Sequence, residues 1–91
     1  MAPTEILRHI DDITTDALQI ANITSDENRV SFRDCLVKPK SGHRGNITIT
    51  ANHSKRYDVK IVNKNTQAIT EYYNLDGSGI REVFITLAGN I

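Results

Sequence analysis

The spacing of apolar residues changes once along this 91-residue chain, at about Arg29, and this change limits the folds that are open to it. Within residues 4–21, apolar residues recur every three to four positions, which is typical of an amphipathic helix. After residue 29 they alternate with polar residues, which is typical of strands with one buried face. The length allows one domain, so we expect residues 1–91 to form a single α+β domain.

The first segment is predicted to be a helix over residues 4–21. Pro3 and Thr4 suit a helix start, and the helix dipole favours a negative charge at Glu5. Residues 22–28, which are rich in Asn, Ser and acidic side chains, are expected to end the helix. Its apolar stripe consists of Ile6, Ile10, Ile13, Ala17 and Ile20. The opposite face is mainly acidic, so it could contact a basic partner.

Five strands are predicted in the remainder of the chain. Their ranges are 29–38, 46–51, 57–62, 67–75 and 80–88. The breaks between them are short and contain turn-forming residues, so consecutive strands should pair antiparallel. The expected cross-strand pairs are Ala51 with Tyr57, Ile61 with Ala68, and Leu75 with Ile80. The predicted fold is an N-terminal amphipathic helix packed on a five-stranded antiparallel meander sheet.

The second face of this predicted sheet is more apolar than a solvated face usually is. One helix covers only one face, so apolar side chains on the other face should stay exposed in the monomer. We expect them to be buried in a homodimer, because a two-fold contact is the commonest way to cover such a patch. The predicted self-association face contains Ile69, Tyr73, Ile80 and Phe84. The alternative is that these residues are scattered and solvated.

The formal charge of the chain is zero, from 11 basic and 11 acidic residues, but the charges are segregated along it. Residues 1–28 carry one basic and six acidic residues, residues 29–64 carry nine and two, and residues 65–91 carry one and three. The three segments therefore have net charges of −5, +7 and −2. A partner, if there is one, should be acidic and should contact the central segment.

The longest predicted turn, residues 38–45, concentrates this positive charge. Basic side chains can neutralise phosphates, while hydroxyl and glycine N–H groups can donate hydrogen bonds to them. The predicted binding residues are Lys38, Lys40, Ser41, His43 and Arg44, with Lys55, Arg56 and Lys60 as neighbours. We expect the turn to bind nucleic acid or an acidic protein surface, without a cofactor. The alternative is a solvated loop with no partner.

Residue types used in catalysis are present, but the predicted strand pairing keeps them apart. His43 and His53 lie at the two ends of one strand, about 33 Å apart, so they cannot share a metal ion within one chain. Cys35 is the only cysteine and is expected to be a small buried side chain. We therefore predict a non-catalytic binding or regulatory module with no metal. A ribonuclease-like enzyme using His53, Arg56, Glu71 and Tyr73 is one alternative.

A protein–protein adaptor with no role in nucleic-acid binding is the other alternative. It would use the acidic helix face and the exposed sheet face, and the basic turn would be incidental. The N-terminal residues lack the pattern of a signal peptide, and no apolar run is long enough to cross a bilayer. A single cysteine also fits a reducing compartment. We therefore expect a cytoplasmic protein that does not associate with membranes.

Overall fold

The computed structural model describes residue 10, residues 16–52 and residues 55–89. The strands are β1 (Asn22–Ser25), β2 (Arg29–Lys38), β3 (His43–Ala51), β4 (Tyr57–Asn63) and β5 (Ile69–Leu75), and they are followed by the helix α1 (Gly77–Gly89). The strands form one antiparallel sheet in the order β1-β2-β3-β4-β5, so the predicted meander is confirmed for its first four strands, which correspond to β2, β3, β4 and β5. No helix among the described residues has the length and apolar character of a membrane span.

The predicted last strand, residues 80–88, is instead part of α1, so that prediction is wrong. Its apolar residues Ile80, Val83, Phe84 and Leu87 also fit the helical spacing of i, i+3, i+4 and i+7. The residue before the helix decides between the two patterns. The Asp76 carboxylate accepts a hydrogen bond from the Gly79 N–H at 2.8 Å, and the Asp76 carbonyl accepts one from the Ile80 N–H at 3.0 Å. Asp76 therefore acts as an N-cap, where the sequence had suggested a hairpin turn.

The predicted N-terminal helix is also wrong, because the described helix that covers the sheet lies at residues 77–89. Residues 1–9 and 11–15 of that prediction lie outside the described residues. Within the described part, Asp16 and Ala17 are helical, and Gln19 has a φ of 54°, which a right-handed helix does not tolerate. The residues expected to end the helix instead form β1, which pairs with β2 and completes the five strands.

The predicted register is confirmed between β3 and β4, where Ala51 lies opposite Tyr57. Between β4 and β5 the prediction is two residues off, since Ile61 lies opposite Thr70 instead of Ala68. The reason is that Asn63, which the sequence places in the turn, pairs with Ala68 through its N–H at 2.9 Å, so the turn covers residues 64–67 instead of 63–66. A slip of two residues leaves every side chain on its predicted face.

The core lies between α1 and one face of the sheet, which we call the inner face. The buried core side chains are Leu18, Val30, Phe32, Cys35, Val37, Ile47, Ile49, Tyr57, Val59, Ile61, Ile80 and Phe84. The rings of Phe32 and Phe84 meet edge to face, with centroids 5.7 Å apart. Ile80 and Phe84 therefore hold α1 on the inner face and cannot belong to the predicted self-association face. Ile69 and Tyr73 do lie on the opposite, outer face and are exposed.

Candidate functional site

Two turns lie side by side at one end of the sheet, because alternate turns of a meander lie at the same end. They are the β2–β3 turn and the β4–β5 turn, and hydrogen bonds join them. The Lys64 N–H donates to the Arg44 carbonyl at 2.9 Å, and the Arg44 N–H donates to the Asn65 side-chain oxygen at 2.8 Å. His43 Nδ1 and the Asn63 side-chain nitrogen lie 3.2 Å apart. The two turns therefore form one connected surface.

The β2–β3 turn is shaped by a short 3-10 segment, Pro39–Ser41, followed by Gly42. Gly42 has a φ of 69° and donates its N–H to the Pro39 carbonyl at 3.1 Å. This left-handed conformation is one that glycine adopts at little cost. The turn leaves Lys38, Lys40 and Ser41 exposed, and Lys64 is exposed on the adjacent turn. We call these four residues, Lys38, Lys40, Ser41 and Lys64, the basic end.

Arg44 does not project freely into solvent as its place in the predicted turn implied. Its guanidinium donates from Nη1 to the Asp34 carbonyl at 2.9 Å and from Nη2 to the Gln19 side-chain oxygen at 2.7 Å. Asp34 lies at an irregularity in the β2–β3 pairing and has a φ of 53°. Arg44 thus braces the β2 irregularity and the chain that leads to β1, so its first role is structural. His43 is likewise half-buried against Asn63.

The lysines of the basic end have no acidic partner in the described part of the chain. None of Lys38, Lys40 and Lys64 forms an ion pair within 4.0 Å there. The one ion pair among the described residues joins Arg56 and Asp76, at 3.9 Å. An exposed group of unpaired lysines on two adjoining turns can neutralise the charges of an anionic ligand.

The other predicted binding residues lie elsewhere. Lys55 and Arg56 are in the β3–β4 turn, at the opposite end of the sheet. Lys60 is on the outer face, where it lies directly opposite Glu71 of β5. The predicted set of eight residues is therefore divided between two ends and one face. From that set, Lys38, Lys40 and Ser41 are exposed together at one end of the sheet, and Lys55 and Arg56 are exposed together at the other.

The outer face contains a shallow depression of about 390 Å³, but its charges are mixed. It is lined by Arg29, Thr48, Thr50, Asp58, Val59, Lys60, Glu71 and Tyr73. Asp58 accepts hydrogen bonds from the Asn52 amide at 3.3 Å and the Asn74 N–H at 3.1 Å. The Tyr73 hydroxyl donates to Glu71, and this bond to a carboxylate raises the pKa of Tyr73. Two acids beside two basic residues give this surface little preference for an anion.

Among the described residues of the alternative catalytic site, the structure joins Tyr73 to Glu71 by a hydrogen bond but does not join Arg56 to them. His53 lies outside the described residues, Arg56 is paired with Asp76, and Tyr73 is hydrogen-bonded to Glu71. Within the described ranges, no group of three or more His, Cys, Asp or Glu side chains is placed to hold a metal ion.

Cys35 is buried at the end of the core, as expected from the sequence, and its thiol contacts the Gly45 carbonyl at 3.7 Å. Burial raises the pKa of the Cys35 thiol from 9.0 to about 11. Because a thiol in the unfolded chain would ionise first, its contribution to stability should be complete below pH 9 and should decline between pH 9 and pH 11. The thiol is therefore a poor nucleophile near neutral pH.

This behaviour can be measured by urea unfolding of the wild type and of Cys35→Ala at several pH values. The wild type should be the more stable at pH 7, and its advantage should shrink by about 2–3 kcal/mol on going to pH 11. Lysine and tyrosine ionisation affects both proteins alike, so the alanine variant corrects for it. A constant difference from pH 7 to pH 11 would contradict the raised pKa.

No protein-family model, no curated protein sequence and no solved structure matches this chain. A function can therefore be inferred for the candidate site only from its geometry and charge.

The residue of the basic end that the sequence prediction missed is Lys64. It belongs to the basic central segment, but it lies in a different turn, 24 to 26 positions after Lys38 and Lys40. The signal was available in the predicted topology. In a meander, the first and third turns of four consecutive strands lie at the same end of the sheet, which places Lys64 next to the β2–β3 turn.

Proposed function

We propose that this protein is a small non-catalytic binding module whose basic end contacts the phosphate backbone of nucleic acid. The observation that carries this proposal is the hydrogen bond from the Lys64 N–H to the Arg44 carbonyl, which joins the two lysine-bearing turns. Through it, three lysines that are unpaired within the described residues share one end of the sheet. Lysine and serine side chains are common donors to phosphate oxygens.

The rigidity of the two turns supports the same function. The β4–β5 turn is held by the Asn63 side-chain oxygen, which accepts hydrogen bonds from the N–H groups of Asn65 at 2.9 Å and Thr66 at 3.2 Å. The β2–β3 turn is held by its 3-10 segment and by Arg44. Fixed turns lower the entropy cost of placing their charges against a ligand. Contacts of this kind bind phosphate without reading the base sequence.

The surface favours nucleic acid over an acidic protein as the partner. Its cations are exposed lysines, which neutralise phosphates, and none of the four residues of the basic end is a large apolar side chain of the kind that anchors a protein interface. The exposed large apolar residues lie on β1, β5 and α1 instead. If the protein does not bind nucleic acid, an acidic protein surface is the alternative partner for the basic end.

Binding should be detectable by fluorescence anisotropy with a labelled 20-base-pair DNA or RNA duplex at low salt. Three lysine–phosphate contacts predict that affinity falls by about 40-fold between 50 and 200 mM salt. The variant Lys38→Gln, Lys40→Gln, Lys64→Gln should lose most of the binding and most of the salt dependence. Arg44 is left unchanged, because its substitution would disturb the fold and confuse the result.

The matched control is Lys55→Gln, Arg56→Gln, Arg81→Gln, which removes the same net charge from exposed positions outside the basic end. It should bind more tightly than the first variant. Equal losses in both variants would show that net charge alone matters and would overturn the site. No binding by the wild type at low salt would overturn the function in favour of a protein–protein adaptor, and steady cleavage of the RNA probe would favour the ribonuclease alternative.

A further inference from the structure

The last strand of the sheet has a free edge in the described part of the chain. β5 pairs with β4 on one side, and none of the described strands pairs with its other side. All residues from 69 to 74 are exposed. Three of the five large apolar side chains exposed among the described residues lie on this strand, namely Ile69, Tyr72 and Tyr73.

The direction of the β5 backbone groups follows from the observed register. In an antiparallel pair, opposite residues alternate between those that exchange both hydrogen bonds and those that exchange none. The Asn63 N–H donates to the Ala68 carbonyl, and Ile61 lies opposite Thr70. The backbone N–H and C=O groups of Thr70, and by alternation those of Tyr72, therefore face β4.

The backbone groups of the intervening residues face the free edge. These residues are Ile69, Glu71 and Tyr73. Asn74 marks the end of the regular edge, since it has a φ of 56° and donates its N–H back toward β4, to Asp58. The edge is thus a straight segment of five residues, 69–73, with three outward N–H and three outward C=O groups.

This segment has few of the features that usually protect an edge strand. It contains no lysine and no proline, and Glu71 is its one charged residue. The opposite edge of the sheet is different, because β1 has four residues, of which three are the polar Asn22, Thr24 and Ser25. β5 is therefore the longer and more apolar of the two edges, and the one better suited to accept another strand.

We propose that β5 pairs antiparallel with β5 of a second copy of this chain, with Glu71 on the two-fold axis. This register pairs every residue of the straight segment and forms about six backbone hydrogen bonds. It places Ile69 opposite Tyr73 of the second copy, twice, on the outer face. On the outer face, each apolar side chain of this edge therefore faces an apolar side chain when the same strand runs in the opposite direction beside it. A second copy of the chain meets this requirement.

The register brings the two Glu71 side chains together, and their surroundings offset the repulsion. Each lies on a solvated face, directly opposite Lys60 of its own copy and hydrogen-bonded to Tyr73. A shift of two residues in either direction would remove the Glu71 contact, but it would leave fewer residues of the straight segment paired. The sequence predicted that Ile69 and Tyr73 take part in self-association through the face of the sheet. In the proposed dimer they also lie in the contact, but the two copies meet along the edges of their β5 strands.

Disulfide trapping tests the proposed register. Glu71→Cys should give a covalent dimer under mild oxidation, because hydrogen-bonded pairs have Cα atoms about 5.5 Å apart, which suits a disulfide. Tyr73→Cys is the matched control on the same face of the same strand. Its two copies would be four residues out of register, about 13 Å apart along the strands, and should not cross-link. Cys35 is buried and should not interfere.

Light scattering measures the oligomeric state of the protein without an introduced cysteine. The wild type should show a molar mass that rises from monomer to dimer with protein concentration. Glu71→Pro should stay monomeric with an unchanged circular-dichroism spectrum, since it removes one outward N–H and no bond to β4. A wild type that is monomeric at every concentration, equal cross-linking of Glu71→Cys and Tyr73→Cys, or preferential cross-linking of Tyr72→Cys would each overturn the proposal.

Discussion

The substitution Phe84→Asp is expected to unfold the protein. Phe84 is fully buried in α1, and its ring meets Phe32 of β2 edge to face at 5.7 Å. Loss of such a ring costs about 3–5 kcal/mol. The unpaired carboxylate in the core adds a further penalty. A domain of this length has a free energy of unfolding of only about 5–14 kcal/mol, so little or none would remain.

Circular dichroism and urea unfolding would measure this effect, with Ile85→Asp as the matched control. Ile85 is the next residue of α1, but it is 49% exposed, so the same change should cost less than about 1 kcal/mol. The expected result is a cooperative transition near that of the wild type for Ile85→Asp and none for Phe84→Asp. A folded, merely monomeric Phe84→Asp protein would instead support the original sequence prediction of an exposed Phe84.

The substitution Gly45→Ala should also have a large effect, because there is no room for a methyl group at this position. Gly45 lies in β3, paired on one side with Cys35 and on the other with Asn63. A Cβ there would lie 1.8 Å from the Val62 carbonyl oxygen, which belongs to the backbone of β4. The strands would have to separate, and we expect a loss of about 3 kcal/mol or more.

Thermal unfolding would measure this loss as a fall of about 12–24 °C in Tm. Gly42→Ala is the matched control, because its Cβ would contact nothing within 4 Å but would occupy a left-handed conformation with a φ of 69°. That strain should cost about 1 kcal/mol, or about 4–8 °C. Similar shifts for both variants would mean that backbone conformation, and not the close approach of β4, determines the need for Gly45.

The sequence predicted the sheet better than it predicted the helix. Alternation over residues 29–62 identified β2, β3 and β4 and the face that each buries. The error came where two periods fit the same segment, since Val83, Ile85 and Leu87 alternate as in a strand, while Ile80, Val83, Phe84 and Leu87 follow helical spacing. The deciding contact is the Asp76 N-cap, which is local but was read as a hairpin turn because two glycines follow.

The candidate site could be predicted only in part, because local sequence does not show which polar groups the fold itself uses. Lys38 and Lys40 stay exposed as expected. Arg44 looked the same in the sequence, yet its hydrogen bonds to Asp34 and Gln19 depend on an irregularity in β2 and on the chain before β1. Lys64 could have been assigned to the site only by combining its charge with the strand topology. Gly45 was assigned to a turn, although it lies within a central strand.

The position of α1 after the sheet also has a consequence for synthesis of the chain. All five strands leave the ribosome before the helix that supplies Ile80 and Phe84 to their apolar face. Until α1 has emerged and packed, the strands that precede it lack the cover of Ile80 and Phe84 on their inner face, and a chaperone that binds exposed apolar strands would have its best opportunity to engage the chain then.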